Sequence, residues 1–244
     1  MGFIALLYGT LCYVLFLASF LYAVGFVGNF IVPKSIDSGV AGPLGTALLT
    51  NAILLGLFAV QHSVMARQGF KEWWTRIVPK SVERSTYVLL SSLLLFLLYW
   101  KWQPLTGVVW SVENPTGRLV LQVLFWAGWA IVLFGTFMID HFDLFGLRQV
   151  WLRFRGLDYT PPPFQKRALY GYVRHPLMTG FLIAFWATPE MSQGHLLFSI
   201  ATTGYIFVGL IFEERDLVKQ IGTAYVEYRA EVAMLFPWPG RKAK

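Results

Sequence analysis

The sequence predicts an all-α fold, a polytopic transmembrane helix bundle, and three observations carry that prediction. Hydrophobic residues make up 56% of the 244 and charged residues only 14%, whereas soluble domains average about a quarter charged. Mean hydropathy is +0.56 over the whole chain, which excludes disorder. The charges are also unevenly spread, leaving six uncharged stretches at 1–33, 38–66, 85–100, 119–139, 175–189 and 191–212. The single cysteine, Cys12, excludes a disulfide scaffold.

A helix needs about 20 residues to cross the hydrocarbon. Residues 1–33 and 38–66 each exceed that length. The first lacks a basic n-region and a small-residue cleavage site, so it is expected to be a retained helix. Cys12 lies inside it and reads as a small core or lipid-facing residue. Residues 85–100 are short, but flanking interfacial side chains can extend them. Residues 119–139 and 191–212 are comfortable spans. Residues 175–189 number only 15, so the count is six crossings, or five with a re-entrant segment there. Pro161, Pro162 and Pro163 force an extended stretch before it. After the last span, Leu217, Val218, Ile221, Tyr225, Tyr228 and Val232 suit an amphipathic helix over 213–232 on the cytoplasmic surface, interrupted near Gly222. Phe236, Pro237, Trp238 and Pro239 resemble an interfacial anchor. One integral membrane domain is expected to cover 1–244.

The basic residues orient these spans. Arg67, Lys71, Arg76, Lys80 and Arg84 follow the second; Arg148, Arg153, Arg155, Lys166, Arg167 and Arg174 follow the fourth; Arg215, Lys219, Arg229, Arg241, Lys242 and Lys244 follow the sixth. These are 17 of the 20 basic residues, all on one side of a six-span chain. The positive-inside rule then makes both termini cytoplasmic, in a bacterial inner membrane. The net charge of +7 reports this topology and contact with anionic lipid of the bilayer. It does not report nucleic-acid binding, for which there is no basic stripe or RNA motif.

Polar groups gather at the same cytoplasmic depth. The second span ends at Gln61-His62, and the fourth at Asp140, His141 and Asp143. The fifth begins at Arg174, His175 and Pro176, and the sixth ends at Glu213, Glu214, Arg215 and Asp216. Three of the four histidines and five of the thirteen acids therefore share one level. Charge near bilayer depth is costly, so such a gathering points to function. Singly, each residue has a plainer reading. His62 suits an interfacial cap, Asp140 and Asp143 can pair with Arg148 or Arg153, and one of Glu213 and Glu214 can pair with Arg215. His195 reads as structural or solvated. No His-x3-His, Glu-x-x-His or paired-Cys spacing supports a metal, and nucleotide-binding glycine loops and serine-hydrolase motifs are absent.

The segment from Tyr170 through Arg174-His175-Pro176 to Gly180 is similar to the Arg-His-Pro-x-Tyr-x-Gly signature of isoprenylcysteine carboxyl methyltransferases and related membrane methyltransferases. Phe212-Glu213-Glu214 with Gly222, Tyr225, Tyr228 and Arg229 resembles the second half of that family's cofactor module, placed at 170–238. Met178 stands where the wider family usually has Tyr, and Ile221 where it has Phe. Gln61 to Arg67, Glu83 to Tyr87 and Asp140 to Gln149 look like the bacterial methanethiol S-methyltransferase group. That likeness implies S-adenosylmethionine as methyl donor, a small thiol as acceptor, dimethyl sulfide as product, and no obligate protein partner. It implies cofactor binding by Tyr170, Arg174, His175, Pro176, Gly180, Glu213, Glu214, Tyr225, Tyr228 and Arg229. Glu213 or Glu214 would accept from the donor's hydroxyl and amino groups. The start of the fifth helix would meet its carboxylate, and Tyr225, Tyr228 and Arg229 would act as a lid.

The nucleophile is the thiolate, and a small alkyl thiol is a weaker acid than cysteine, so a base is needed. His141 is the expected base, oriented by Asp140 or Asp143, with His62 as the alternative. Asp140 and Asp143 would share a helix face while His141 projects about 100° away. Prenylcysteine or phospholipid-amine methylation, and a non-enzymatic haem-binding or nitrogen-oxide-response protein, are the competing readings.

Overall fold

The computed structural model describes residues 2–162 and 168–237. Pro163, Lys166, Arg167, Trp238, Pro239, Arg241, Lys242 and Lys244 lie outside the described residues. In chain order the helices are α1 (Gly2–Gly28), α2 (Leu44–Ala66), α3 (Gln68–Trp74), α4 (Lys80–Lys101), α5 (Pro115–Ile139), α6 (His141–Leu144), α7 (Leu147–Phe154), α8 (Pro176–Trp186), α9 (Gln193–Ile221) and α10 (Thr223–Glu231). Two short strands, β1 (Val108–Ser111) and β2 (Glu190–Ser192), pair with each other. Helices α1, α2, α4, α5 and α9 are long and apolar enough to cross a membrane. The chain divides into two compact units: Met1–Val108 with His141–Pro161 and Ser192–His195, and Val109–Asp140 with Pro162–Met191 and Leu196–Lys244.

In the first unit α4 packs against α1, α2 and α7. Asn51 and Tyr99, buried in these apolar helices, find partners as a hydrocarbon setting favours. Asn51, fully buried on α2, donates to the Gln103 carbonyl at 2.8 Å and accepts from the Gln103 N–H at 2.9 Å. Tyr99 donates to the Ser19 carbonyl at 3.3 Å, joining α4 to α1. Trp102 donates to the Ile36 carbonyl at 3.0 Å and pins the connection that follows α1. His195 is buried rather than solvated, and its backbone N–H donates to Ser192 Oγ at 3.0 Å.

In the second unit α8 runs antiparallel to α5, and the short stretch at 175–189 finds its explanation there. Arg118 near the start of α5 meets Glu190 at 2.9 Å, and Gly135 near its end abuts Leu177. Between Arg118 and Gly135, α5 rises about 26 Å. An 11-residue helix is too short to cross alone. Beyond Trp186 the chain turns, with Thr188 N–H donating to the Trp186 carbonyl at 3.0 Å, and reaches β2 at Glu190, beside the start of α5. The sequence reading did not foresee the strand. Its polar backbone is paired: Val112 N–H donates to the Pro189 carbonyl at 2.9 Å and Trp110 to the Thr188 carbonyl at 3.3 Å. At the end of α8, Ser199 Oγ donates to the Phe185 carbonyl at 2.7 Å.

Helices α5 and α8 touch backbone to backbone. A Cβ on Gly180 would lie 2.7 Å from the Gly128 carbonyl oxygen, and one on Gly128 only 2.6 Å from the Ala184 nitrogen. Gly222, at φ +73°, ends α9 and turns the chain into α10. The segment 213–232 is therefore the last turns of α9 followed by α10, broken at Gly222 as its pattern suggests. Tyr225, Tyr228 and Val232 are buried against Leu217, Val218 and Ile221. Residues after α10 then cross the start of α8, with a parallel bridge between Val173 and Ala233.

Candidate functional site

The second unit holds a buried ionic node at the start of α8. Arg174 and His175 lie just ahead of Pro176, which takes the first helical position because it lacks an N–H. Their backbone N–H groups donate to Ala233 and Met234 carbonyls at 2.8 and 3.1 Å, which points both side chains at the end of α9. Arg174 Nε donates to Glu214 Oε1 at 2.7 Å, and its Nη2 lies 2.7 Å from the same oxygen. Arg174 Nη1 donates to the carbonyls of Arg229 and Val232, the first at 3.2 Å. His175 Nε2 lies 3.2 Å from Glu214 Oε1, and Arg229 Nε is 3.2 Å from Oε2.

Glu214 is thus shared among three protein partners. Its side chain is only 8% exposed, while that of the neighbouring Glu213 is 47% exposed and approaches His175 Nδ1 at 3.7 Å. The two glutamates have divided their work. One carboxylate neutralises a buried guanidinium; the other faces outward, as does half of Arg229.

Three tyrosines surround this node. Tyr228 donates to the Tyr170 carbonyl at 2.6 Å, linking α10 to the turn at Ala168–Gly171. Burial raises the hydroxyls of Tyr170, Tyr225 and Tyr228 above the ordinary tyrosine range. Glu213 adds to the rise at Tyr170, and Glu214 at Tyr225. Tyr228 is pushed up to about 12, with Arg174 holding it down in part. All three are therefore neutral donors at physiological pH. Tyr225 and Tyr228 are each 2% exposed, while the other residues of α10 are exposed, so α10 packs through these two rings. Gly180 lies at the α5–α8 contact described above.

The first unit carries the histidines. On α2, His62 stacks on Phe58 with centroids 5.2 Å apart, and Tyr87 Oη lies 2.9 Å from each of its ring nitrogens. Ser91 Oγ is 3.3 Å from His62 Nδ1 and donates to Gln61 Oε1 at 3.1 Å. His141 is buried at the first position of α6, with Nε2 2.8 Å from Tyr13 Oη. Its ring makes edge contacts with Tyr13 at 5.7 Å and Phe145 at 4.9 Å between centroids. Phe16 and Phe145 stack at 3.7 Å and pack with Tyr87 and Met65. One aromatic cluster therefore flanks both imidazoles.

Asp143, one of the two carboxylates expected to orient His141, has partners of its own. Asp143 accepts from Arg148 at 3.1 Å and from Tyr159 at 3.2 Å, the plainer of the two readings its sequence context allowed. Burial, and then the charge of Asp143, raises the Tyr159 hydroxyl, so it stays protonated and donates. Asp140 closes α5, its N–H donating to the Thr136 carbonyl at 3.2 Å, at φ 153°. That backbone breaks the helix between Asp140 and His141, so the helical phase linking Asp140 to Asp143 does not apply. Tyr13, Tyr87 and Ser91 escaped the sequence reading as site residues. Tyr87 and Ser91 are one turn apart on α4, in an otherwise apolar run, and that spacing was a usable signal. Tyr13 had none, because only packing brings α1 to α6. Among the described residues, no three or more His, Cys, Asp or Glu are grouped as metal ligands would be.

Comparison with known proteins adds the relatives. The chain is 59% identical over 239 residues to the methanethiol S-methyltransferase of Mycobacterium tuberculosis, covering 98% of each chain. It is 55% identical over 232 residues to methanethiol S-methyltransferase 2 of Bradyrhizobium diazoefficiens, covering 95% of this chain and 89% of the relative. A more distant likeness, 30% over 179 residues, is to Nurim of Mus musculus, covering 70% and 68%. No family model matches the chain, and no solved structure does.

Proposed function

The chain belongs to the methanethiol S-methyltransferase family, and from that premise we propose that it methylates methanethiol to dimethyl sulfide with S-adenosylmethionine as donor. One observation carries the reading: the similarity runs over 98% of the chain, so it includes the histidine-bearing unit as well as the Arg174-His175-Pro176 segment. The basic residues flanking both regions support a cytoplasmic site, where that donor is found.

The residues at the node fit such a donor. It offers an amino group, a carboxylate and ribose hydroxyls, which call for an anion, a cation and neutral hydrogen-bonding groups. Glu213 is the half-exposed carboxylate, and Arg229 the half-exposed guanidinium. Glu214, occupied by Arg174, His175 and Arg229, holds these groups in place rather than touching the ligand. Tyr170 and the other two tyrosines supply protonated hydroxyls. When bound, the donor supplies an electrophilic methyl on a sulfonium.

The protein must take the thiol proton, because a small alkyl thiol is mostly protonated at neutral pH. We assign that step to His141. Tyr13 positions its ring. Methyl transfer to a thiolate disperses charge, and the aromatic enclosure of Phe142, Phe145 and Tyr13 keeps water from the base.

The test is purified protein in detergent with S-adenosylmethionine and methanethiol, following dimethyl sulfide in the headspace, with ethanethiol and a prenylcysteine analogue alongside. Donor-dependent dimethyl sulfide is the expected result. Methylation of the prenyl analogue alone would overturn the acceptor, and absence of donor binding would overturn the class. His141→Ala is expected to keep donor binding and lose more than tenfold in turnover. If His62→Ala loses turnover and His141→Ala does not, the base is His62.

A further inference from the structure

Three basic residues lie outside the three basic-rich connections: Lys34, Lys101 and Arg118. Arg118 is paired with Glu190 at 2.9 Å. The other two stand together in the first unit and have no carboxylate partner among the described residues. Lys34 Nζ donates to the Trp100 carbonyl at 2.7 Å, while Lys101 Nζ lies 3.8 Å over the Trp100 ring. Two ammonium groups thus flank one residue. Asp37, three positions from Lys34, accepts from Asn29 and Ser192 instead. Burial, and then the Lys101 charge, holds the Lys34 ammonium below the ordinary lysine range.

Beside this pair is a groove of about 530 Å³, whose walls include Tyr22, Leu93, Phe96, Leu97 and Tyr99. Its polar end is fixed: Tyr22 Oη donates to the Lys34 carbonyl at 3.0 Å and lies 3.2 Å from the Lys34 N–H. Tyr22 also stacks on Tyr99, with centroids 5.0 Å apart. An apolar slot with Lys34 at one end, and Lys101 over the ring of the adjoining Trp100, needs an occupant that is apolar along its length and anionic at its head.

We propose that this groove binds one anionic phospholipid, its acyl chain along Phe96 and Leu97 and its phosphate between Lys34 and Lys101. The phosphate would relieve the repulsion between the two ammonium groups and satisfy donors that the protein leaves without an acid. None of its residues belongs to the histidine cluster or the ionic node, so it anchors the chain in the bilayer rather than serving the chemistry.

Native mass spectrometry of the full chain in detergent tests this, with dioleoyl phosphatidylglycerol and dioleoyl phosphatidylcholine as probes. The wild type is expected to retain one phosphatidylglycerol preferentially, with about fivefold of preference from each lysine. Lys34→Gln with Lys101→Gln is expected to lose that preference while still retaining lipid. The corresponding Arg variants are expected to keep it. Leu97→Trp, which fills the slot, is expected to lose retention of both lipids. Equal retention of the two lipids by the wild type would overturn the proposal. So would an undiminished preference in the double Gln variant.

Discussion

Arg174 sets two nitrogens on a single oxygen of Glu214, with Nε and Nη2 each 2.7 Å from Oε1. Both side chains are buried, so the pair is a fixed fitting between the start of α8 and the end of α9. Removing one partner would strand the other's charge, at a cost of about 3–5 kcal/mol. Glu214→Gln is therefore expected to lower the melting temperature sharply, and Arg174→Lys to do nearly the same, because an ammonium cannot reproduce the planar fork. Glu213→Gln should instead leave melting unchanged and weaken binding of S-adenosylmethionine. Calorimetric titration beside a thermal melt separates the two; equal melting losses at both glutamates would sink the division of labour.

The α5–α8 contact makes a second prediction. Gly180→Ala would place its Cβ 2.9 Å from the Val132 nitrogen as well as 2.7 Å from the Gly128 oxygen, and backbone atoms cannot swing aside. The helices must part, for a loss of about 1–3 kcal/mol. Gly204→Ala and Gly209→Ala in α9 meet nothing within 4 Å and are expected to be neutral or slightly stabilising. Thermal melts of the three variants should rank accordingly.

Tyr13 and His141 form a coupled pair in the assignment above. Tyr13→Phe is expected to cut kcat by about tenfold with little change in KM, and to shift the pH profile of kcat. Combined with His141→Ala it should cost no more than His141→Ala alone. Independent, multiplying losses would show that Tyr13 acts by some other route.

Tyr228 adds an alkaline limit to stability. Its hydroxyl is raised from 10.0 to about 12 in the fold, so the folded chain holds that proton more tightly than the unfolded one. The stabilisation is complete below pH 10 and is lost as pH rises towards 12. Tyr228→Phe should melt lower at pH 8, by about 1–3 kcal/mol, because the Tyr170 carbonyl loses its donor. Its further decline between pH 9 and 11 should be shallower than that of the wild type.

The class of fold was written in one-dimensional quantities. Uncharged lengths located the long helices, and Gly222 marked its break because hydropathy and backbone freedom are properties of single residues and short windows. The Arg174-His175-Pro176 segment and the glutamate pair were legible for a related reason: charge at the end of an apolar span is conspicuous. Strand β2, which follows 175–189, was not, because it depends on pairing with β1, some 80 residues earlier in the chain. Nor could spacing choose between Glu213 and Glu214. Adjacent residues on a helix diverge by about 100°, and only the position of Arg174 decides which is buried. Nor could spacing foresee Tyr13 beside His141, because only the packing of α1 brings that hydroxyl to the ring. Composition and local pattern determined what this chain is made of and that it belongs in a membrane. Which polar groups meet was decided by tertiary packing, since in a low-dielectric interior each must take the partner that distant segments bring within reach.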